Sequence, residues 1–388
     1  MKYDFDFETN RKNTNSLKWD EIESTYPMWV ADMDFKTAPE ITDGFLKRIN
    51  EGIFGYNVLN DKFYESYINW WDKYHNFKIK KDWIIFSTGV VPSISSAVRS
   101  LTNIGDNVVI LTPVYNIFFN SIINNKRNVL ESALKYENGI YEIDYFDLEE
   151  KLKLEKTSLL IFCNPHNPIG KIWDKEELIK IGKLCKKYNV IVISDEIHCD
   201  IVAPGYSYIP FASVSDINKD ISITLISPSK CFNLAGIQTS IAVIINENLK
   251  KKFERGLNTD ECAEGNTLAV IAPNLAFNYG RAWLDEMNEY VFNNRLFVEK
   301  YFNENIKEFK VIKGYATYLV WIDINGIDSK DFKDYLFKKT GVYISDGILY
   351  GKTGKSFIRI NIATTKKRIK EALDLIKEAY NMYIIERK

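Results

Sequence analysis

The chain of 388 residues carries 51 basic against 52 acidic side chains, is 46% apolar and 27% charged, and is long enough for two or three domains. A formal net charge of -1 argues against nucleic acid as a partner, because phosphate contacts need a basic surface, and no uncharged apolar run approaches the ~18 residues of a membrane span. The acidic start MKYDFDFETNRKNTN lacks the pattern of a signal peptide, and 5 irregularly spaced cysteines make no disulfide framework, so a cytoplasmic protein with reduced thiols is expected.

In chain order, near-continuous apolar runs at Trp83–Ser87, Asn107–Thr112, Ser158–Cys163, Asn189–Ser194, Ile221–Ser227 and Ser240–Ile245 read as strands buried on both faces. Helical segments separate them: Asp174–Lys187 sets its apolar residues at 178, 181, 184 and 185, along one helix face. Such alternation predicts an α/β layer around a mostly parallel sheet, with ligands beyond the carboxyl ends of the strands. After about residue 280 the pattern changes. Arg281–Asn305 reads as one long helix, followed by a strand at Tyr318–Ile324, a helix near Ser329–Lys339, a strand at Ser356–Ile362 and a final helix from about Thr365. These suggest a smaller α+β domain, which the N-terminal residues join. The expected division is a large domain over 46–280 and a small one formed by 1–45 and 281–388.

The strand ends hold the chemistry. After the first strand, Thr88-Gly89-Val90-Val91-Pro92 feeds a helical pattern that runs through Ser100, and the free amides of such a helix start suit a phosphate. Tyr115 follows the second strand and can offer its ring to a flat ligand. Two Asn-Pro pairs and a glycine fill Asn164–Gly170 after the third. The run Asp195-Glu196-Ile197-His198-Cys199-Asp200 follows the fourth; three histidines far apart in the sequence speak against zinc, and no metal is expected. Asp195 at a buried strand end suits a protonated ring nitrogen. Lys230 follows the fifth strand among small and apolar neighbours, the setting for a depressed pKa and Schiff-base chemistry.

In this order the residues resemble the pyridoxal-phosphate enzymes of fold type I, the class I/II aminotransferase superfamily, over nearly the whole chain. The motifs are Gly89-Val90-Val91, Tyr115, Asn164–Gly170, Asp195, Ser227-Pro228-Ser229-Lys230 and Arg359. Pro27–Phe35 (PMWVADMDF), Gly52–Tyr56 (GIFGY) and Asp195–His198 are further similar to the carbon–sulfur lyase branch, the MalY/PatB-type cystathionine β-lyases. The resemblance implies a large domain with a mostly parallel seven-stranded sheet beside a smaller α+β domain. It also implies that Lys230 carries pyridoxal 5'-phosphate as a Schiff base, that Asp195 pairs with the pyridinium nitrogen, and that Asn167 bonds the phenolic oxygen. Ser227 and Ser229 would help Gly89, Val90 and Val91 to hold the phosphate, and Tyr56 would reach the phosphate of the neighbouring subunit in a homodimer. Arg359 would dock the substrate carboxylate, or pair with a structural acid; Trp29 would line the pocket beside Ala31, or belong to the core. His198 would touch the cofactor, or orient the Asp195 loop. Four positions depart from relatives: Gln238 stands where ordinary aminotransferases carry an arginine, Cys231 where the branch commonly has threonine, and Thr364-Thr365 where it has Cys-Pro.

The implied reaction is β-elimination from cystathionine or a related sulfur-containing amino acid to pyruvate, ammonia and a thiol. Transamination on the same scaffold is the alternative. A cofactor-bearing regulatory protein that acts through a protein partner is the alternative of another class.

Overall fold

The computed structural model describes residues 2–387. Seven strands form the central sheet: β1 (Ile84–Ser87), β2 (Asn107–Thr112), β3 (Asn128–Ala133), β4 (Thr157–Cys163), β5 (Ile191–Asp195), β6 (Ser222–Ile226) and β7 (Ser240–Val243). Their spatial order is β1-β7-β6-β5-β4-β2-β3. All neighbours run parallel except β7, which is antiparallel to both β1 and β6. The mostly parallel seven-stranded sheet implied by the resemblance is thus present. Every residue of β1, β6 and β7 is buried, as a sheet covered on both faces requires.

The sequence runs overshoot the observed strands at several ends, and each overshoot has a local cause. Trp83 belongs to the short 3-10 turn Lys81–Trp83, and Asn189 sits at φ 56°, a left-handed corner that starts β5 later than expected. The strand without an apolar run of its own is β3. It lies at the sheet edge, pairs only with β2 and is mostly half-buried, so its sequence NVLESA never needed to be apolar throughout.

Helices cover the sheet. Val90–Leu101 (α1) follows β1, and Lys175–Lys187 (α2) is opened by a capping box between Asp174 and Glu177. The long helix expected at Arg281–Asn305 (α3) is found with those bounds. Beyond it lies a four-stranded antiparallel sheet in the order β8 (Lys310–Val311), β9 (Leu319–Asp323), β11 (Phe357–Asn361), β10 (Ser345–Asp346). Helices Ser329–Thr340 (α4) and Lys366–Glu386 (α5) pack beside it, α5 capped by the Thr365 side chain. The N-terminal segment returns to this layer: Tyr26–Pro27 pairs in parallel with Val342–Tyr343. Among the described residues no helix is long and apolar enough to cross a membrane.

Trp321 pairs in register with Arg359 and stacks on Phe357 at 5.2 Å with the rings 2° from parallel, while 1% of it is exposed. Trp321→Ala is expected to lower stability by about 3–5 kcal/mol, because a cavity replaces a buried indole. The midpoint of urea unfolding checks this.

Candidate active site

Beyond the end of β6 the chain turns sharply. The Ser227 hydroxyl donates to the Thr239 carbonyl at 2.6 Å and accepts from the Ser229 amide at 3.0 Å, which fixes the turn that delivers Lys230. The Lys230 Nζ donates to the main-chain carbonyl of Ala31 at 2.6 Å, and the Tyr318 hydroxyl donates to the same carbonyl at 3.0 Å. Burial pushes the lysine down to about 8; Asp32 opposes this, Arg359 adds to it, and Asp195 opposes it.

Asp195 ends β5, deeply buried, and its Oδ1 accepts a 3.2 Å hydrogen bond from the Ile197 amide. Burial raises it to about 7, against the pull of that amide and of Lys230. His198 is buried beside the two cations Lys230 and Arg359; burial first, then those charges, press it down to about 3, so its ring is neutral and its Nδ1 has no partner. Asp200, at the end of the same run, faces elsewhere: it accepts from Trp70 Nε1 at 3.0 Å and lies 2.9 Å from His75 Nε2.

Arg359 lies in the middle of β11, almost wholly buried. Its Nη2 donates to the Trp29 carbonyl at 2.7 Å and its Nη1 to Asn167 Oδ1 at 3.2 Å, while Nε has no partner. Among the described residues no carboxylate lies within 4.0 Å of it, so the reading of a structural ion pair fails. Its guanidinium carbon stands 5.0 Å from the ring centre of Tyr350. A buried guanidinium without a carboxylate partner has a planar fork still able to take an anion.

Asn167 sits in a turn held against the neighbouring layer by close backbone contact. The Gly170 carbonyl accepts from the amides of Tyr315 at 2.8 Å and Ala316 at 3.0 Å. At φ 69°, a Cβ on Gly170 would come within 2.8 Å of the Ala316 oxygen, so glycine is required there.

At the start of α1 the amides of Val90 and Val91 have no protein acceptor, and Pro92 has no amide to satisfy. Gly89 is extended at φ 171°, a conformation open to any residue. The Ser229 hydroxyl has no protein partner. The Ser227 hydroxyl, by contrast, places its one donor on the Thr239 carbonyl, where it shapes the turn. Tyr115 is half-buried, edge-on to Phe118 at 5.8 Å, and burial raises its hydroxyl to about 12.

The segment Trp29–Phe35 lies over these groups. Asn233, three residues after the lysine, accepts from the Met33 amide at 3.0 Å and donates to the carbonyls of Met33 at 3.0 Å and Phe35 at 2.9 Å. Asn361 donates to the carbonyls of Val30 and Asp32, each at 2.6 Å. Arg11 grips Asp32 at 2.7 Å and Asp34 at 3.0 Å, and Lys18 reaches Asp34 at 3.1 Å. Sequence reasoning missed Asn233, Asn361 and Tyr318. A signal existed for Asn361, since it lies two residues after Arg359 and so on the same side of the strand. Trp29 is half-buried, with its ring edge-on to Tyr343 at 5.7 Å. Tyr56 is not brought into the site: it is fully exposed.

The residues fit pyridoxal phosphate. A buried amine, a buried carboxylate with one oxygen unpartnered, a neutral imidazole, two free helix-start amides and a free hydroxyl match the aldehyde, ring nitrogen and phosphate of that group.

The chain belongs to the aminotransferase class I and II family, whose model matches residues 34–376. It is 38% identical to cystathionine beta-lyase PatB of Bacillus subtilis over 97% of this chain and 99% of that one. Among solved structures it resembles a pyridoxal-phosphate-bound putative aminotransferase from Clostridium difficile (TM-score 0.94, 40% identity, 97% of this chain and 99% of that one). It also resembles a pyridoxal-phosphate-bound C-S lyase from Staphylococcus hominis (TM-score 0.92, 35% identity, 97% and 98%).

A carboxyl raised by burial weakens the fold as it ionises: Asp195 favours the cofactor-free fold fully only below its unfolded pKa near 4, and that contribution is lost as pH rises to about 7. Cofactor-free Asp195→Asn is therefore expected to be more stable than the parent at pH 8, with the gap closing toward pH 4. Thermal unfolding across this range measures it.

Proposed function

We propose that this chain is a pyridoxal-phosphate-dependent carbon–sulfur β-lyase that converts L-cystathionine or a related cysteine S-conjugate, with water, into pyruvate, ammonia and a thiol. The single observation that carries the chemistry is the convergence of Lys230, Asp195 and the unneutralised Arg359 on one buried site. The choice of elimination over transamination is supported by the likeness to PatB and to the Staphylococcus hominis C-S lyase.

Lys230 would hold the cofactor covalently, Asp195 would pair with its ring nitrogen, and Asn167 would donate its free amide to the phenolic oxygen. Val90, Val91 and Ser229 would bind the phosphate, with Gly89 leaving room above the helix start, and Tyr115 and His198 would flank the ring. When bound, pyridoxal phosphate supplies the electron sink for the electrons of the substrate's Cα–H bond. Arg359 takes the α-carboxylate and so aims the Cα–H bond at Lys230. The amine of Lys230 takes the Cα proton onto Nζ; its depressed pKa keeps part of it neutral near pH 8. Loss of the thiolate from the β-carbon completes the elimination.

We further read the chain as two lobes, 46–280 and 1–45 with 281–388, and as a homodimer. An exposed apolar arm supports the dimer: Ile53 (71%), Phe54 (63%), Tyr56 (103%) and Val58 (82%) stand in solvent, and Tyr56 would serve the other subunit's phosphate. All 5 cysteines are free thiols, which supports a cytoplasmic location.

Purified protein given L-cystathionine should release pyruvate and free thiol in step. A keto acid that retains the sulfur side chain would instead establish transamination. Lys230→Ala should abolish both products. Arg359→Ala should raise KM by roughly 10- to 100-fold, the loss of a charged hydrogen-bonded contact, as steady-state kinetics will show.

A further inference from the structure

A cavity of about 840 Å³ lies on the far side of the Gly170 turn, between one face of α3 and the segments Val202–Tyr206 and Val311–Tyr315. Its lining shares no residue with the site around Lys230. Phe292, Ile312, Val202 and Leu296 form apolar walls, and Leu296 is 63% exposed although it belongs to a helix of the core. At one side the rings of Tyr206 and Tyr315 stack at 3.9 Å and 14°.

Arg295 lines this cavity and is only 5% exposed. Its Nη2 donates to the carbonyls of Leu319 at 2.6 Å and Ala316 at 3.5 Å, but its Nε is buried without an acceptor. Among the described residues no carboxylate lies within 4.0 Å of it. Burial presses this guanidinium down to about 10, with Glu299 the charge that opposes. A buried cation without a counter-ion is unfavourable unless something supplies the anion.

The other charges of the cavity narrow the ligand. Arg281 is committed to Asp285 at 2.7 Å, and Lys313 lies exposed at the rim. Glu289 and Glu299 line the cavity with no cation within 4.0 Å among the described residues. Glu299 follows Arg295 by four positions on α3, which places the two side chains on one helix face, roughly 6 Å apart at Cβ. Opposite charges at that spacing, beside Phe292 and Leu296 on the same face, suit a small zwitterion with an apolar body.

We propose that this cavity is a second small-molecule site that binds an apolar α-amino acid: its carboxylate on Arg295, its ammonium toward Glu299, and its side chain between Phe292 and Leu296. The site adjoins the catalytic one through the backbone. Ala203 donates to Tyr315 O and Thr317 to Ile201 O, both at 2.8 Å, and the Leu319 carbonyl gripped by Arg295 follows Tyr318, which holds Ala31.

The test uses holoenzyme in which borohydride has fixed the cofactor to Lys230, so that the catalytic site no longer exchanges it for an amino group. Calorimetric titration with L-phenylalanine should show saturable binding with one site per chain. Leu296→Trp changes an exposed side chain and fills the cavity; it should weaken binding at least about tenfold while leaving lyase turnover in the unreduced enzyme unchanged. Glu299→Gln should weaken L-phenylalanine but leave 3-phenylpropionate, which lacks the ammonium, unaffected. Absence of saturable binding at millimolar L-phenylalanine, or binding that Leu296→Trp leaves intact, overturns the proposal.

Discussion

The Lys230 amine donates to a main-chain carbonyl 199 residues away in sequence, and much of the surrounding structure serves to hold that carbonyl in place. A carbonyl on a loose loop would wander, and the lysine would lose its acceptor and its bearing. Two asparagines prevent this from opposite sides. Asn233 belongs to the lysine's own segment and Asn361 to the strand of Arg359, so the segment Trp29–Phe35 is tied at once to the Lys230 turn and to the Arg359 strand. Arg11 and Lys18 then neutralise Asp32 and Asp34 at its outer side. Lys230, Arg359 and the Trp29–Phe35 segment therefore share one frame, although they come from three distant stretches of chain.

Charge within that frame is arranged to be incomplete. Lys230 lies in a region that disfavours cations, and His198, buried beside Lys230 and Arg359, stays neutral. Asp195 is raised rather than lowered, because burial outweighs the single amide and the lysine that favour its charged form. The protein alone thus holds more positive than negative charge around the site. A cofactor with a cationic ring nitrogen beside Asp195, a phosphate at the start of α1 and a substrate carboxylate on Arg359 would each satisfy a group that the fold leaves wanting.

Much of this was legible in the sequence because a parallel sheet enforces it. Buried strands must be apolar along their length, so six of the seven stood out, and functional groups must follow their carboxyl ends. The edge strand Asn128–Ala133 did not stand out, since half-exposed edges carry no such pattern. Site residues that act by titration or charge, such as Lys230, Asp195 and Arg359, announce themselves by type. Those that act by holding backbone, such as Asn233 and Asn361, do not, because an asparagine in a turn looks the same whether or not its amide clamps a distant segment. The bond that Ser227 makes was hidden for a related reason. Its hydroxyl direction depends on the Thr239 carbonyl, which only the folded antiparallel return of β7 brings near.

The acceptor for Lys230 has one property that no side chain could give it. A peptide oxygen is present whatever residue occupies position 31, so the contact survives any substitution there that leaves the backbone path unchanged. The Ala31 side chain is itself partly buried against the core, so it is the peptide oxygen and not the side chain that serves the lysine. The lysine's anchor is therefore indifferent to the identity of residue 31 and sensitive only to the path of the chain through it.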